Sequence, residues 1–346
     1  MSEIRVGLVG YGVAGAFFHA PLIAATPGLR LAAVVTRDPG RQSEVAGRYG
    51  AQGVADVREL WERSDLVVVA SPNRTHVATA AAAIEQGLPV VVDKPLAGTA
   101  EEGRELVRLA KERGVLLTVF QNRRWDGDFL TVRRLAEEGA LGEIRRFESR
   151  FERWRPAPKG GWRESGGPEE IGGLLYDLGS HLVDQAMRLL GPVREVYCES
   201  DVRRQGVSSD DDTFVALTHD GGARSHLWAS SVAARLGPRF RVLGSAAAYV
   251  KHGMDVQEER LRAGIAPDAP GFGEDEEDRW GELGTVERHR RVRTEPGAYL
   301  DFYRGVAAAL RDGGPPPVDL ESAVDVLTVL EAARLSATQR IVVHLP

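Results

Sequence analysis

The chain has 346 residues but a single cysteine, Cys198, and this scarcity excludes two kinds of structure. One cysteine cannot form an internal disulfide, and it cannot supply the several thiolates of a structural zinc cluster. No uninterrupted apolar stretch approaches the roughly 20 residues that a membrane-spanning helix needs. The amino terminus lacks the pattern of a secretory signal peptide, because Met1–Glu3 lead straight into a strand-like segment. We therefore expect a cytoplasmic protein without a bound metal.

Positive charge is also in short supply. The chain carries 44 Lys and Arg against 50 Asp and Glu, for a net charge of −6 and a pI near 5.8. This balance argues against a nucleic acid or a membrane surface as the main partner. Arginines cluster at Arg145-Arg146 and Arg288–Arg293, but acidic residues surround both clusters, and we interpret them as solvated faces. The length allows two domains with a sizeable core.

A glycine-rich turn near the amino terminus is the first motif with a chemical meaning. The apolar run Ile4–Val9 precedes Gly10, Gly12 and Gly15, and a helix-like stretch follows. This is G-x-G-x-x-G between a strand and a helix, the setting that dinucleotide binding requires. The first glycine allows a tight turn, the second lets a pyrophosphate approach, and the third packs the helix on the strand. Alone, the motif is also compatible with a chance glycine-rich turn.

The pattern that follows predicts an α/β domain with a doubly wound parallel sheet. Short runs rich in Val, Leu and Ile alternate with helical segments, two of which end at Gly87 and Gly114. The predicted strands are Leu31–Val35, Leu66–Ala70, Val90–Val92 and Val115–Phe120, and the predicted helices are Gln42–Tyr49, Thr75–Gln86 and Glu101–Arg113.

The end of the second predicted strand favours NADP over NAD. NAD-binding sheets usually place an acidic residue there to bond the ribose 2′-hydroxyl, and this chain has Thr36 and Arg37. A hydroxyl and a guanidinium suit a 2′-phosphate. Asp38 is close enough to keep NAD open, and Arg37 is also compatible with a solvent-exposed turn.

Polar residues also follow the third and fourth strands, at the edge where such sheets bind ligands. Helix capping alone explains several of them, and a lysine at a strand end is often a solvated stop signal. The bond before Pro95 can adopt the cis form at low cost, so this turn can have a special shape. We predict that these two turns contact the nicotinamide end of the cofactor through Ser71, Asn73, His76, Asp93, Lys94 and Pro95.

From Gln121 the pattern changes, and we predict a second α+β domain with a large, mostly antiparallel open sheet. A polar segment, Gln121–Asp128, precedes a helix, Phe129–Glu138. We interpret Pro267–Gly281, with its acidic cluster, as a mobile loop. The predicted strands are Val193–Ser200, Thr213–Thr218, Ala223–Ala229, Arg239–Leu243 and Ala247–Lys251, and the final predicted helices are Tyr299–Arg311 and Leu320–Thr338.

The segment Gly172–Asp184 is the candidate catalytic element. Helical periodicity runs from Asp177 to Leu190, which places Asp177, His181 and Asp184 on one helix face. A carboxylate one turn from an imidazole can fix its tautomer and make it a better proton acceptor. Gly179 inside the helix costs about 1 kcal/mol relative to alanine, which suggests that a ligand or another backbone comes close. The alternative is an ordinary buried histidine bonded to a neighbouring aspartate.

These motifs, in this order, resemble the Gfo/Idh/MocA oxidoreductases along essentially the whole chain. The chain is most similar to their NADP-dependent scyllo-inositol dehydrogenase branch, which shares an F-H-x-P-L stretch (Phe18–Leu22), an N-R-R-W-D segment and a Y-D-L-G-S-H segment. The resemblance implies that Lys94, Asp177 and His181 are catalytic and that Asp184 contacts the substrate. It also implies that Asn122 and Arg123 line the substrate pocket. The family's usual Glu before the lysine is Asp93 here, which can change how Lys94 is oriented.

The resemblance also implies an organisation for the whole chain. Residues 1–124 form the dinucleotide-binding domain, the helices of 296–346 pack back on it, and residues 125–295 form the substrate domain. The open sheet serves oligomerisation, and we expect its outer face to be apolar and to need cover. A homodimer or homotetramer through residues between roughly 190 and 250 follows from these expectations.

Oxidising a secondary alcohol needs a base for its O–H, and reducing a ketone needs an acid for the developing alkoxide. We expect His181 to transfer this proton and Asp177 to orient the His181 imidazole. Lys94 would stabilise the negative charge on the substrate oxygen. The expected partner is a small polyhydroxylated molecule. Three alternatives stay open: an NAD-dependent glycoside hydrolase, a non-catalytic NADP-binding regulator, and a sugar-phosphate or bile-pigment reductase.

Overall fold

The computed structural model describes residues 3–161, 164 and 170–346, which form two compact units. The first unit comprises Met1–Asn122, Val256–Phe272 and Ala298–Val324. The second comprises Arg123–Asp255, Gly273–Gly297 and Asp325–Pro346. The predicted limits of 1–124 with 296–346, and of 125–295, stay a prediction about domains; the compact units follow the first junction closely and divide the carboxyl-terminal third differently.

The first unit contains a six-stranded parallel sheet in the order β3-β2-β1-β4-β5-β6. Strand β1 lies in the middle and pairs on its two sides with β2 and β4. The strands that follow β1 are therefore added first on one side of it and then on the other, while all six stay parallel. The prediction of a doubly wound parallel sheet is confirmed. The strands are β1 (Ile4–Val9), β2 (Leu29–Val35), β3 (Gln52–Val54), β4 (Leu66–Val69), β5 (Val90–Asp93) and β6 (Leu117–Phe120).

The helices begin and end close to where capping residues and periodicity place them. The clearest case is Ala100–Arg113, which begins with a capping box between Thr99 and Glu102 and ends at Gly114 with φ +64°. The α-helices of the described residues are α1 (Ala20–Ala25), α2 (Pro39–Tyr49), α3 (Arg58–Trp61), α4 (His76–Glu85), α5 (Ala100–Arg113), α6 (Gly127–Glu137), α7 (Ser180–Leu190), α8 (Gln257–Arg262), α9 (Leu300–Asp312) and α10 (Leu320–Gln339).

The second unit contains a nine-stranded sheet in the order β14-β13-β12-β11-β7-β10-β9-β8-β15. Neighbouring strands are antiparallel except β7 and β10, which are parallel, so the predicted open antiparallel sheet is confirmed. The strands are β7 (Ile144–Glu152), β8 (Val193–Asp201), β9 (Asp212–His219), β10 (Arg224–Ser230), β11 (Phe240–Gly244), β12 (Ala248–Lys251), β13 (Gly281–Gly284), β14 (His289–Val292) and β15 (Val343–His344).

The two faces of this sheet differ in polarity. The inner face carries buried apolar side chains such as Phe147, Phe240 and Val242, and α7 packs in the same core. The outer face of the central strands β7 and β11 carries charge instead: Glu148 bonds both Arg150 and Arg241. The expectation of an apolar outer face therefore needs correction. Charged side chains alternating with buried ones also explain why sequence analysis missed β7.

One other expectation differs from the structure, and the predicted packing of the final helices stays a prediction. The acidic segment within Pro267–Gly281 is anchored rather than loose, because the Asp275 side chain is only 4% exposed and its carboxylate lies 2.8 Å from the fully buried ammonium of Lys251. The two final helices do not share a unit. Helix α9 belongs to the first unit, whereas α10 continues from Asp325 onward in the second, where Leu330 joins the core beneath the nine-stranded sheet.

Neither a membrane-spanning helix nor a metal-binding cluster is found within the described ranges. No helix there combines the length and apolarity needed to cross a membrane. No group of three or more His, Cys, Asp or Glu side chains in the same ranges could hold a metal ion.

Candidate active site

The three glycines of the first turn are required for different reasons. Gly10 has φ +99°, and a Cβ there would lie 2.7 Å from the carbonyl oxygen of Ala70. A Cβ on Gly15 would lie 2.1 Å from the carbonyl oxygen of Gly10. A Cβ on Gly12 would meet nothing within 4 Å. The fold therefore demands Gly10 and Gly15, while the space beside Gly12 is open, as a phosphate resting on this backbone needs.

The turn after β2 places Arg37 in solvent and gives Asp38 a structural task. Asp38 Oδ1 accepts a hydrogen bond from the Arg41 N–H at 3.0 Å, so Asp38 is the N-cap of α2. Thr36 is buried, and its carbonyl oxygen accepts from Gln42 Nε2 at 2.8 Å. Arg37 and Asp38 are both exposed, and of these two the guanidinium of Arg37 carries the charge that suits phosphate.

The turn after β4 contains a histidine that holds two loops together. His76 is fully buried, with Nδ1 2.8 Å from the Pro95 carbonyl oxygen and Nε2 3.0 Å from the Ser71 carbonyl oxygen. Both ring nitrogens are thus engaged by backbone, so the predicted contact between His76 and the cofactor is replaced by a supporting role. Asn73 is also buried, and the Ser71 hydroxyl pairs with Thr75 Oγ1 at 2.7 Å.

The turn after β5 joins Lys94 to a buried histidine through Asp93. The Lys94–Pro95 bond is cis, and the Lys94 N–H donates to Asp93 Oδ1 at 2.9 Å. The same oxygen lies 3.7 Å from His19 Nε2, and His19 Nδ1 lies 2.6 Å from the Tyr303 hydroxyl. Burial raises the pKa of Asp93, but His19 and Lys94 more than offset this and hold that pKa below its ordinary value.

The candidate catalytic helix begins with a π-helical turn. Leu175–Gly179 is π-helical and continues into α7, so Asp177 lies in the widened first turn and His181 in the first turn of α7. Asp177 is half-buried and His181 is buried, with its ring centroid 6.3 Å from that of Phe151. The predicted continuous helix from Asp177 to Leu190 is thus preceded by two more residues, and its first turn is wider.

Two glycines of this segment pack closely against neighbouring side chains. Gly173 has φ +84°, and a Cβ there would lie 1.8 Å from Asp210 Oδ1. Asp210 Oδ2 accepts from the Leu175 N–H at 2.7 Å, which satisfies a donor at the start of the helical segment. A Cβ on Gly179 would lie 3.3 Å from Leu175 Cδ1 and 3.8 Å from Leu330. The neighbours of Gly179 on that side are thus mainly leucine side chains, and the approach of a ligand to this helix stays a prediction.

Asp184 forms a buried ion pair with Arg124. Both of its oxygens accept hydrogen bonds from Arg124, with Nε at 3.2 Å and 2.9 Å and Nη2 at 2.7 Å. Both side chains are buried, at 8% and 2% exposure for Arg124 and Asp184. This bidentate geometry makes Asp184 the residue that holds Arg124 in place. The contact of Asp184 with the substrate stays a prediction.

Gln185, the next residue of α7, bonds the backbone of the same polar turn, Asn122–Trp125. Gln185 Nε2 donates to the Arg123 carbonyl oxygen at 2.8 Å, and Gln185 Oε1 accepts from Arg239 at 2.8 Å. Arg239 is buried and lies 3.4 Å from Asp128. The Arg123 guanidinium lies 3.4 Å from the buried carboxylate of Asp126. The turn Asn122–Trp125 is thus fixed by α7 and by buried arginines.

One carboxyl of this network has an unusual environment. Burial raises the pKa of Asp126 well above its ordinary value; Arg123 opposes this rise, and Asp255 and Asp128 add to it. Several residues that hold the candidate site are not predictable from the sequence, because their partners lie far away along the chain. They are His19, Arg124, Gln185, Asp210, Arg239 and Tyr303.

Comparison with known proteins matches both units to one family. The NAD-binding Rossmann fold of an oxidoreductase family, GFO_IDH_MocA, matches residues 4–121. The C-terminal alpha/beta domain of the same family matches residues 133–345. The chain belongs to the Gfo/Idh/MocA oxidoreductase family. The resemblance inferred from the motifs is confirmed.

Relatives within the Gfo/Idh/MocA family cover nearly the whole chain. The chain is 35% identical to scyllo-inositol 2-dehydrogenase (NADP(+)) IolW of Bacillus subtilis over 347 residues, which is 98% of this chain and 95% of that protein. It is 41% identical to the uncharacterized oxidoreductase YdgJ of Escherichia coli K12, covering 98% and 97%. The solved structure of the Bacillus subtilis protein yvaA superposes with a TM-score of 0.93 at 33% identity, covering all of both chains.

Proposed function

We propose that the protein is an NADP-dependent dehydrogenase that interconverts a secondary hydroxyl and a ketone on an uncharged cyclic polyol. Scyllo-inositol and its ketone are the first choice, and an uncharged monosaccharide such as an aldose is the second. The observation that carries this proposal is the full-length similarity to a protein named as an NADP(+) scyllo-inositol 2-dehydrogenase. The open space beside Gly12 supports a dinucleotide in particular.

The proposed cofactor contacts follow the carboxyl edge of the parallel sheet in the first unit. The backbone from Gly10 to Gly15 would hold the pyrophosphate, and Thr36 with Arg37 would hold the 2′-phosphate. Arg37 is exposed while Asp38 caps α2, and both facts favour NADP over NAD. Ser71, Asn73 and the Asp93–Pro95 turn would approach the nicotinamide end. A bound nicotinamide cofactor supplies the hydride chemistry.

The chain's own residues must manage one proton and one developing charge. We propose that His181 takes the hydroxyl proton during oxidation and returns it during reduction, and that Asp177 orients the imidazole. Lys94 would stabilise negative charge on the substrate oxygen. Asn122 and Arg123 would offer donors and acceptors to ring hydroxyls. A site so rich in polar groups rejects an apolar ligand, because its groups would stay unpaired.

A substrate panel with two histidine variants tests the reaction. We expect NADP⁺ reduction with inositols or NADPH oxidation with keto-sugars, and a loss of about a hundredfold or more in His181→Ala. His252 is exposed and serves as the matched control, so His252→Ala should keep wild-type rates. Near-normal turnover in His181→Ala contradicts the proton assignment. Cleavage of chromogenic glycosides without net NADPH oxidation would favour the glycosidase alternative, and a clear preference for phosphorylated ketones would contradict the uncharged polyol.

Cofactor preference is tested separately by fluorescence titration of NADPH and NADH. Wild-type protein should bind NADPH more tightly, and Arg37→Asp should reverse or abolish the difference. Arg104→Asp introduces the same change of charge on an exposed face of α5, and it should leave the preference intact. A wild-type preference for NADH would show that Arg37 has been assigned wrongly.

We also propose a homodimer, or a tetramer of such dimers, through the outer face of the nine-stranded sheet. Beside the charged strand β7 this face presents an aromatic cluster of Phe214, His226 and Trp228, and Arg150 stacks on Trp228 at 3.9 Å. Aromatic residues and arginine are the residue types enriched at interfaces. Light scattering should give a multiple of the monomer mass for wild-type protein and a smaller mass for Trp228→Glu. A monomer mass at micromolar wild-type concentration would refute the proposal.

A further inference from the structure

Three polar side chains next to Lys94, those of Tyr303, His19 and Asp93, lie in a row in which each faces the next. This row runs from Tyr303 on α9 through His19, at the end of the π-helical turn Gly15–His19, to Asp93 at the end of β5. His19 and Tyr303 are fully buried. The ring of Phe120 lies against the imidazole, with centroids 4.4 Å apart. The imidazole is thus held by a ring contact on its face and a hydrogen bond at Nδ1, while the buried Nε2 makes no hydrogen bond to the described residues and faces Asp93.

The two ends of this row decide which nitrogen carries the hydrogen. Burial and the charge of Asp93 raise the pKa of Tyr303 well above its ordinary value, so its hydroxyl keeps the proton. A Tyr303 O–H that donates to Nδ1 at 2.6 Å leaves the hydrogen of a neutral ring on Nε2, which faces Asp93. The other tautomer would point a nitrogen lone pair at a carboxylate, and that arrangement is repulsive.

The Asp93 carboxylate connects this row of side chains to Lys94. Asp93 Oδ1 both faces His19 Nε2 and accepts the Lys94 N–H, so fixing this oxygen fixes the backbone at the lysine. The separation of 3.7 Å makes the histidine contact an electrostatic attraction rather than a full hydrogen bond. His76 fixes the other side of the same turn through the Pro95 carbonyl oxygen.

We propose that Tyr303 and His19 form a buried relay that positions Asp93 and, through it, Lys94. They are positioning residues for the proposed reaction, on which this inference rests. The relay also connects the helical turn that follows the glycine loop to the lysine turn, because His19 ends the turn that Gly15 begins.

Nuclear magnetic resonance tests the relay without any substrate. Long-range ¹⁵N spectra of wild-type protein should show His19 with its hydrogen on Nε2. In Tyr303→Phe the donor to Nδ1 is gone, so the Nδ1–H form should become populated. The Lys94 amide should then exchange with solvent about tenfold faster, because its acceptor is less well held. Tyr249→Phe removes another fully buried hydroxyl, in the second unit, and should change neither signal.

Kinetics test the link to the reaction. Tyr303→Phe and His19→Ala should lower kcat about tenfold or more, with KM for the polyol changed less than about threefold, because a misplaced group loses transition-state contacts. His19→Gln keeps an N–H near the position of Nε2 and should recover part of that loss. Melting temperatures within a few degrees of wild type would show that the variants fold.

The pH profile of kcat separates positioning from simple packing. The groups around Asp93 are His19, Lys94, His76 and Tyr303. Because the pKa of Asp93 is held low, its carboxylate is fully ionised above the ordinary aspartate pKa and can position Lys94 there. This positioning is lost only as pH falls through the lowered pKa. In His19→Ala that pKa should rise, so the acid limb of kcat should move to higher pH for ketone reduction, in which His181 acts as the acid and sets the basic limb instead.

Three results would overturn the relay. They are a wild-type His19 with its hydrogen on Nδ1, an unchanged Lys94 amide in Tyr303→Phe, or wild-type kcat with an unmoved acid limb in His19→Ala. If wild-type protein turns over no substrate of the panel, the proposed function fails, and the tautomer and amide exchange alone decide the relay.

Discussion

The two regions that carry the candidate site residues are built by different means. At the carboxyl edge of the parallel sheet, short-range contacts set part of the polar turns: Asp38 bonds a residue three positions on, and Asp93 bonds its own neighbour while also facing the distant His19. Around α7, the contacts cross long stretches of chain, and Arg124 meets its partner 60 positions away. The first region keeps open space beside Gly12, whereas the second pairs buried charges such as Arg124 with Asp184. Open space beside a backbone suits the binding of a dinucleotide, and buried pairs between distant residues suit the fixing of polar side chains.

The largest effect should come from breaking the buried pair in the second region. Arg124→Met leaves the Asp184 carboxylate buried without its partner, which should lower the free energy of unfolding by about 3–5 kcal/mol. The double variant Arg124→Met/Asp184→Leu should recover most of that loss, because both charges are gone. Urea denaturation measures both. Arg133→Ala breaks a more exposed pair with Glu137 and serves as the control, with a loss of about 0–1 kcal/mol.

The double variant also decides whether the pair touches substrate. A folded Arg124→Met/Asp184→Leu protein with near-normal KM would show that the pair only supports the turn. A single variant Arg124→Met that loses less than about 1 kcal/mol would contradict the claim that this region depends on buried charge pairs.

A second test compares two glycines of the first region. Gly15→Ala should lower the free energy of unfolding by about 1–3 kcal/mol, because the new Cβ meets the Gly10 carbonyl oxygen. Gly12→Ala should change stability by less than about 0.5 kcal/mol and weaken NADPH binding about tenfold, because its Cβ enters the space proposed for phosphate. The control is Gly47→Ala, at an exposed and open position of α2, which should leave NADPH binding unchanged. Equal NADPH affinity in wild type and Gly12→Ala would remove the cofactor from this turn.

The difference between the regions also explains how far the sequence could predict them. Glycines with required conformations, caps and apolar strands are local signals, so the parallel sheet, the glycine turn and the end of α5 were predictable. Strand β7 was not, because its outward charges interrupt the apolar pattern that marks a strand. The π-helical turn before α7 was not predictable either, since nothing in the spacing of Asp177 and His181 distinguishes it from an α-helix.

Side-chain partners were the least predictable feature. The spacing of Asp184 and His181 on one helix is visible in the sequence, but the choice of Arg124 as partner depends on the folding of a distant turn against α7. The same holds for Tyr303, which reaches His19 from 284 positions away. Periodicity shows which face a residue shares and cannot show what lies opposite that face.

The smallest expected effect concerns Asp38 and sharpens the choice between NADP and NAD. If Asp38 only caps α2, Asp38→Asn keeps an acceptor for the Arg41 N–H and should change the free energy of unfolding by a few tenths of a kcal/mol, about as much as other exchanges among good caps. Asp38→Ala should cost about 1 kcal/mol. Neither variant should change the ratio of NADPH to NADH affinity by more than about twofold, because the Asp38 carboxylate would then bond a backbone N–H and not the ribose. Asp319→Ala is the matched control, since Asp319 accepts from the Ser322 N–H at the start of α10. A selective loss of NADH binding in Asp38→Asn would show instead that this carboxylate grips the ribose, and the assignment of Arg37 to a 2′-phosphate would then fail.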